Sequence, residues 1–143
     1  MSKLALRLGD AARSGVYWAA GDEEILDAAR GTAIDVARID LRAAKDKAGL
    51  LAAFAGALAF PGWFGGNWDA FEECLGDLSW RRGSVHVLLI EGGAKLPKAE
   101  ADALRGILRD CAEDWAKRGR PFFAVYAGGR NAAALPELFR TRA

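Results

Sequence analysis

Two nearly continuous apolar runs, residues 84–90 (SVHVLLI) and 121–127 (PFFAVYA), flank a long stretch with helical periodicity, residues 97–118, and this arrangement constrains the fold more than any other feature. A strand with one wet face alternates polar and apolar residues, whereas a strand apolar at both parities must be covered on both faces. Two such strands joined by a helix form a β-α-β unit, whose strands run parallel because the helix carries the chain back to its starting end. Upstream, residues 33–41 place Ile34, Val36 and Ile39 near strand spacing, and residues 45–59 carry Leu50, Leu51, Phe54 and Leu58 at helical spacing. The expected fold is therefore α/β, a small parallel β-sheet packed by helices. A chain of 143 residues, 52% of them apolar, can build one core without disulfides or metals, which predicts a single domain.

The ends are less constrained. Residues 15–20 (GVYWAA) read as a short strand, and residues 22–30 (DEEILDAAR) as a helix opened by a capping acid, together a modest N-terminal appendage. Residues 130–143 are expected to form a short helix anchored by Leu135, Leu138 and Phe139.

Charge and reactive side chains narrow the function. With 20 basic and 19 acidic residues the net charge is +1, so the total favours neither nucleic acid nor a membrane surface. Cys74 and Cys111 lack the spacing of a zinc or redox motif and read as reduced, buried thiols. His86, the sole histidine, falls in a buried strand, where a hydrogen-bonded core role outweighs catalysis. The glycine pairs at 65–66, 92–93 and 128–129 do not match a dinucleotide or phosphate-binding loop and read as turns. Arg81-Arg82 and the Lys117-Arg118-Arg120 group read as solvated charges rather than a nucleic-acid surface. The first residues lack an apolar leader segment and no stretch approaches a membrane span, so a cytoplasmic protein without cofactors is expected.

One segment stands apart. Residues 48–80 contain no Lys or Arg, yet hold Asp69, Glu72, Glu73 and Asp77. Residues 60–66 form a Pro/Gly-punctuated aromatic loop, and Asn67 is a credible N-cap for a helix running to about Leu78. At about 100° per residue, Trp68, Phe71, Leu75 and Leu78 share one side of that helix, with Asp69, Glu73 and Asp77 on the other. Asp69–Glu73 and Glu73–Asp77 are like-charge i,i+4 pairs, each costing a few tenths of a kcal/mol in an isolated helix. A helix shaped for stability would intersperse lysines, so this face is suited to meeting a cationic partner, with the neighbouring aromatics supplying contact area.

The run Phe60-Pro61-Gly62-Trp63-Phe64-Gly65-Gly66-Asn67-Trp68-Asp69-Ala70-Phe71-Glu72-Glu73-Cys74-Leu75 resembles the barstar family of ribonuclease inhibitors without a gap. The order strand, helix, loop, helix, strand, helix, strand agrees as well, over about residues 34–127. The resemblance implies a barstar-like fold and a loop and helix that enter a ribonuclease active site, where acids occupy places meant for RNA phosphates. By position it implies that Asp69 is a contact acid and that Glu73 stands where the family has its strongest acid, an Asp. Trp63 replaces a contact tyrosine, Gly65 and Asn67 match loop positions, and Glu72 stands in place of an aromatic. Asp114 aligns with a further contact acid, and Arg118 stands where another acid is expected. The partner implied is a small basic ribonuclease or nuclease toxin, bound through Trp63, Gly65, Asn67, Asp69, Glu72, Glu73, Asp77 and Asp114. Two other readings compete: an interaction module for a non-ribonuclease toxin or regulator, and a carboxylate metal site or enzyme built on Asp69, Glu73 and Asp77.

Overall fold

The computed structural model describes residues 2–139. Helix α1 (Lys3–Leu8) and a 3₁₀ turn (Ala11–Arg13) lead into β1 (Gly15–Ala19) and α2 (Glu23–Ala29). There follow β2 (Ile34–Leu41), α3 (Lys47–Leu58), α4 (Trp68–Asp77), β3 (Val85–Gly92), α5 (Lys98–Lys117) and β4 (Phe122–Ala127). The strands form one sheet in the order β1-β4-β3-β2, parallel throughout.

Register explains the apolar runs. Across the sheet Asp35 pairs with His86 and His86 with Phe122, and at the next position Val36 pairs with Val87 and Val87 with Phe123. One parity of the central strands (Leu88, Ile90, Phe122, Ala124) buries against α3, α4 and α5, and the other (Val87, Leu89, Phe123, Val125) against α1 and α2. Both faces are covered, as the unbroken hydrophobicity of β3 and β4 requires.

Two expectations for the ends are corrected. The N-terminal segment is no appendage: β1 pairs with β4 from Gly15–Phe123 to Ala19–Ala127, and Leu8 and Ile25 complete the second core. Without β1, the apolar β4 would be a bare sheet edge. Residues 130–139 form no helix. Trp18 N–H donates to the Pro136 carbonyl at 2.9 Å and Leu138 N–H to the Trp18 carbonyl at 2.9 Å, so the segment lines the outer edge of β1. Pro136 has no N–H for a helical ladder, but its carbonyl can still serve a strand edge. Residues 140–143 of the expected helix lie outside the described residues.

Helix ends follow local chemistry. Asp46 Oδ1 accepts from Gly49 N–H at 2.8 Å to start α3, and Asn67 Oδ1 accepts from Ala70 N–H at 2.8 Å to start α4. Asp22, expected to cap α2, makes no side-chain cap bond and instead pairs with Arg38 of β2 at 2.5 Å.

Candidate functional site

The segment 59–78 is held from both ends by side chains that reach its backbone. At the close of α3, Trp80 Nε1 donates to the Leu58 carbonyl at 2.9 Å, and Arg81 approaches the Ala57 carbonyl at 3.5 Å. At the close of α4, Trp115 Nε1 donates to the Leu75 carbonyl at 2.9 Å and Arg118 to the Gly76 carbonyl at 2.9 Å. These carbonyls fall in the last turns of α3 and α4, where intrahelical donors run out.

The loop between them is packed from within. Phe64 N–H closes a turn on the Pro61 carbonyl at 3.0 Å, and the Phe60 ring meets Phe64, Phe71 and Trp80 with centroids 4.9, 6.1 and 6.2 Å away. Phe60 and Phe64 thus serve the core, whereas Trp63 is 53% exposed, its ring edge-on to Trp80 at 6.5 Å. Gly66 has φ +70°, a conformation side chains disfavour, and Gly65, Gly66 and Asn67 are all exposed. An exposed backbone stretch with one projecting indole leads directly into α4.

On α4, Phe71, Cys74 and Leu75 are buried, Trp68 is half-buried against Phe71, and Leu78 caps the helix inside the core. Asp69, Glu72, Glu73 and Asp77 are all exposed, and none enters an ion pair among the described residues. Asp77 Oδ1 accepts from Ser79 N–H at 3.3 Å. Asp114 is exposed on α5, which packs directly on α4. These acids also act on two buried thiols, with burial the larger cause. The Cys111 thiol is pushed up to about 12, first by burial and then by Glu72, Asp114 and Asp110; the Cys74 thiol is raised by burial, then by Asp77 and Glu73. Both cysteines are free and buried.

Asp110 was not singled out from the sequence. Its signal is periodicity, one helical turn before Asp114, but the proximity of α5 to α4 that gives it meaning is tertiary. Arg118 lies at the rim of the acidic face, its guanidinium 4.5 Å from the Trp115 ring centroid, with Arg120 at 4.8 Å. Arg81, expected to be solvated, is instead largely buried: it donates to Asp35 through Nε at 2.7 Å and Nη2 at 2.9 Å. His86, 2% exposed, binds the same carboxylate through Nδ1 at 3.0 Å. Burial lowers the His86 pKa, partly offset by Asp35. For Asp35 burial acts upward, and the hydrogen bonds from Arg81 and His86 outweigh it, leaving the carboxyl below its usual range.

Among the described residues, no three His, Cys, Asp or Glu side chains are grouped so as to hold a metal ion, and no helix is long and apolar enough to cross a membrane. What the geometry offers is an exposed acidic face with an aromatic projection beside it. The chain belongs to the barstar family, described as barnase inhibitors, whose family model matches residues 34–127. A comparison with curated proteins gives no match.

Proposed function

We propose that this protein inhibits a small basic ribonuclease by laying the loop from Pro61 and the exposed face of α4 over the enzyme's cationic active site. The observation that carries this reading is the set of four exposed carboxylates, Asp69, Glu72, Glu73 and Asp77, in no ion pair among the described residues and adjoining an exposed Trp63 in a stretch without Lys or Arg. Carboxylates that enter no ion pair among the described residues keep that interaction available to a docking cation, and Asp114 and Asp110 extend the same field onto α5. Gly65 and Asn67 let backbone come close to the partner, and Trp63 supplies the anchor. The N-terminal and C-terminal extensions complete the sheet behind this surface, so the whole chain acts as one inhibitory domain, in the cytoplasm.

A second reading rests on Arg118. This exposed cation beside the acids suits a partner of mixed charge, such as a nuclease toxin whose active-site rim carries a carboxylate. Both readings are tested together: the purified chain is titrated against barnase and against basic nucleases retained from a lysate of the source cell. One-to-one loss of ribonuclease activity supports inhibition; failure against every one of them removes it.

A further inference from the structure

The carboxyl ends of β2, β3 and β4 open onto a cleft of about 750 Å³ that shares no residue with α4 or the loop before it. Clefts of this size hold small molecules, and open α/β sheets hold them outside the carboxyl ends of strands, where successive connections leave to opposite faces. Here the connections after β2 and β3 both lead to one face, to α3 and α5, and the one after β1 leads to α2 on the other, so the cleft lies beside the reversal, on the β2–β3 side of β4.

Features left over from the sequence as mere turns line this cleft. Gly92, Gly93, Gly128 and Gly129 all have positive φ, so two side-chain-free turns stand at its mouth. Gly92 is obligatory, since a Cβ there would lie 2.6 Å from Arg42 N. Gly129 has nothing within 4 Å of that position, and its wall stays open. The facing wall is stiffened by Asn131, whose side chain donates to the Leu135 carbonyl at 2.7 Å and accepts from Leu135 N–H at 2.9 Å.

The lining has a definite chemical character. Leu41, Leu96, Leu104 and Leu135 are apolar, and the charged lining is Arg42, Arg105, Arg130 and Glu91; Arg42 pairs with Asp40, Arg105 with Asp102 through one guanidinium nitrogen, and Glu91 with Arg38, while Arg130 enters no ion pair among the described residues. Tyr126 forms part of the wall, and its buried hydroxyl finds no hydrogen-bond partner among the described residues. A buried donor without a partner costs free energy comparable to a lost hydrogen bond, so an incoming acceptor is favoured there. Burial raises the phenol pKa, which keeps the proton available, and Arg105 acts on the phenol from nearby, adding positive potential.

We propose that this cleft binds a small carboxylic acid with an apolar body, its carboxylate received by Tyr126 Oη and Arg105 and its body lying against the four leucines. The site is independent of the inhibitory surface. Octanoate and benzoate serve as probes, hexanol and benzyl alcohol as uncharged controls, and inorganic phosphate as a charge without a body, each titrated into the isotope-labelled full chain by NMR. The expected result is saturable shifts of the Gly93 and Ala127–Gly129 amides with a carboxylate, and binding of the controls at least about tenfold weaker. Tyr126→Phe, which removes only an unpaired oxygen and should fold normally, weakens carboxylate binding about tenfold, and Arg105→Met does likewise. The proposal is overturned by no saturable shift below about 10 mM carboxylate, by controls that bind equally well, or by carboxylate affinity unchanged in both variants.

Discussion

The indole of Trp115 donates to the main-chain carbonyl of Leu75 at 2.9 Å, so the acidic helix hangs from α5 by a fully buried hydrogen bond. Arg118 repeats the contact one residue later on Gly76. The acids of α4 therefore stand on a helix whose far end is fixed before any partner arrives, which lowers the ordering cost of binding.

Trp115→Phe tests this attachment. The phenyl ring keeps most of the packing on Phe122 and His86 but leaves the buried Leu75 carbonyl unserved, a loss of about 1–3 kcal/mol of stability. Urea unfolding followed by fluorescence of the remaining tryptophans measures it. A stability equal to wild type would show that the bond contributes nothing.

The Asp35–Arg81–His86 cluster sets a pH dependence whose sign follows from both shifts. His86 is depressed below 6.5, so the unfolded chain binds the proton more readily, and stability falls as pH drops below 6.5 toward the folded value. Asp35 is depressed below 3.8, so its contribution is complete above that pH and is lost as pH falls through its lowered folded value. The two act in the same direction in successive windows. His86→Gln removes the first titration while keeping a side-chain donor. Between pH 7 and 5 the variant should lose less stability than wild type, the difference growing by up to about 1.4 kcal/mol per pH unit. Parallel curves from denaturant melts at several pH values would refute the assignment.

Much of this was legible before the structure. The central elements follow from the double-parity hydrophobicity of β3 and β4, the helical spacing of Leu50, Phe54 and Leu58, and the Asn67 cap, because each is decided by local pattern. At the N-terminus the strand and helix were legible but their place was not, since neither the pairing of β1 with β4 nor the docking of residues 130–139 leaves a local trace; both answer a distant need to cover the edge of the sheet. At the site, amphipathicity placed the acids outward correctly. The largely buried Arg81 reads as solvated from the sequence because its partner, Asp35, lies 46 residues away.

Association with the nuclease should be steered by charge. The α4 acids form an unneutralised patch felt over roughly 10 Å, the Debye length at 0.1 M salt. Raising salt therefore slows association far more than it speeds dissociation. Trp63→Ala should show the opposite signature, a faster dissociation with little change in on-rate, because it removes contact area rather than charge. Stopped-flow rates at two salt concentrations separate the two, and an on-rate indifferent to salt would remove steering from the account.

The sharpest prediction divides two acids four residues apart. Glu73 is exposed at mid-helix, opposite the buried Phe71 and Leu75, and enters no ion pair among the described residues. Asp77 ends the helix, already accepts from Ser79 N–H at 3.3 Å, and adjoins Gly76, to which Arg118 is bound. Its carboxylate thus already has one main-chain donor inside the monomer. In charged interfaces, the barnase–barstar pair among them, truncating one member of a desolvated, hydrogen-bonded charge pair costs about 2–5 kcal/mol or more. A rim charge costs about 1 kcal/mol or less and acts mainly on the on-rate. Glu73→Ala should therefore weaken nuclease binding by two to three orders of magnitude and Asp77→Ala by less than about tenfold. Neither should unfold the protein: Glu73→Ala removes one charge and with it two like-charge i,i+4 pairs, and Asp77→Ala exchanges a small electrostatic relief for a lost turn bond, each within about 0.5 kcal/mol. Calorimetric titration of both variants against the inhibited nuclease, with thermal melts in parallel, decides the matter. Equal losses of affinity, or a Glu73→Ala loss traceable to unfolding, would place the centre of the interface elsewhere.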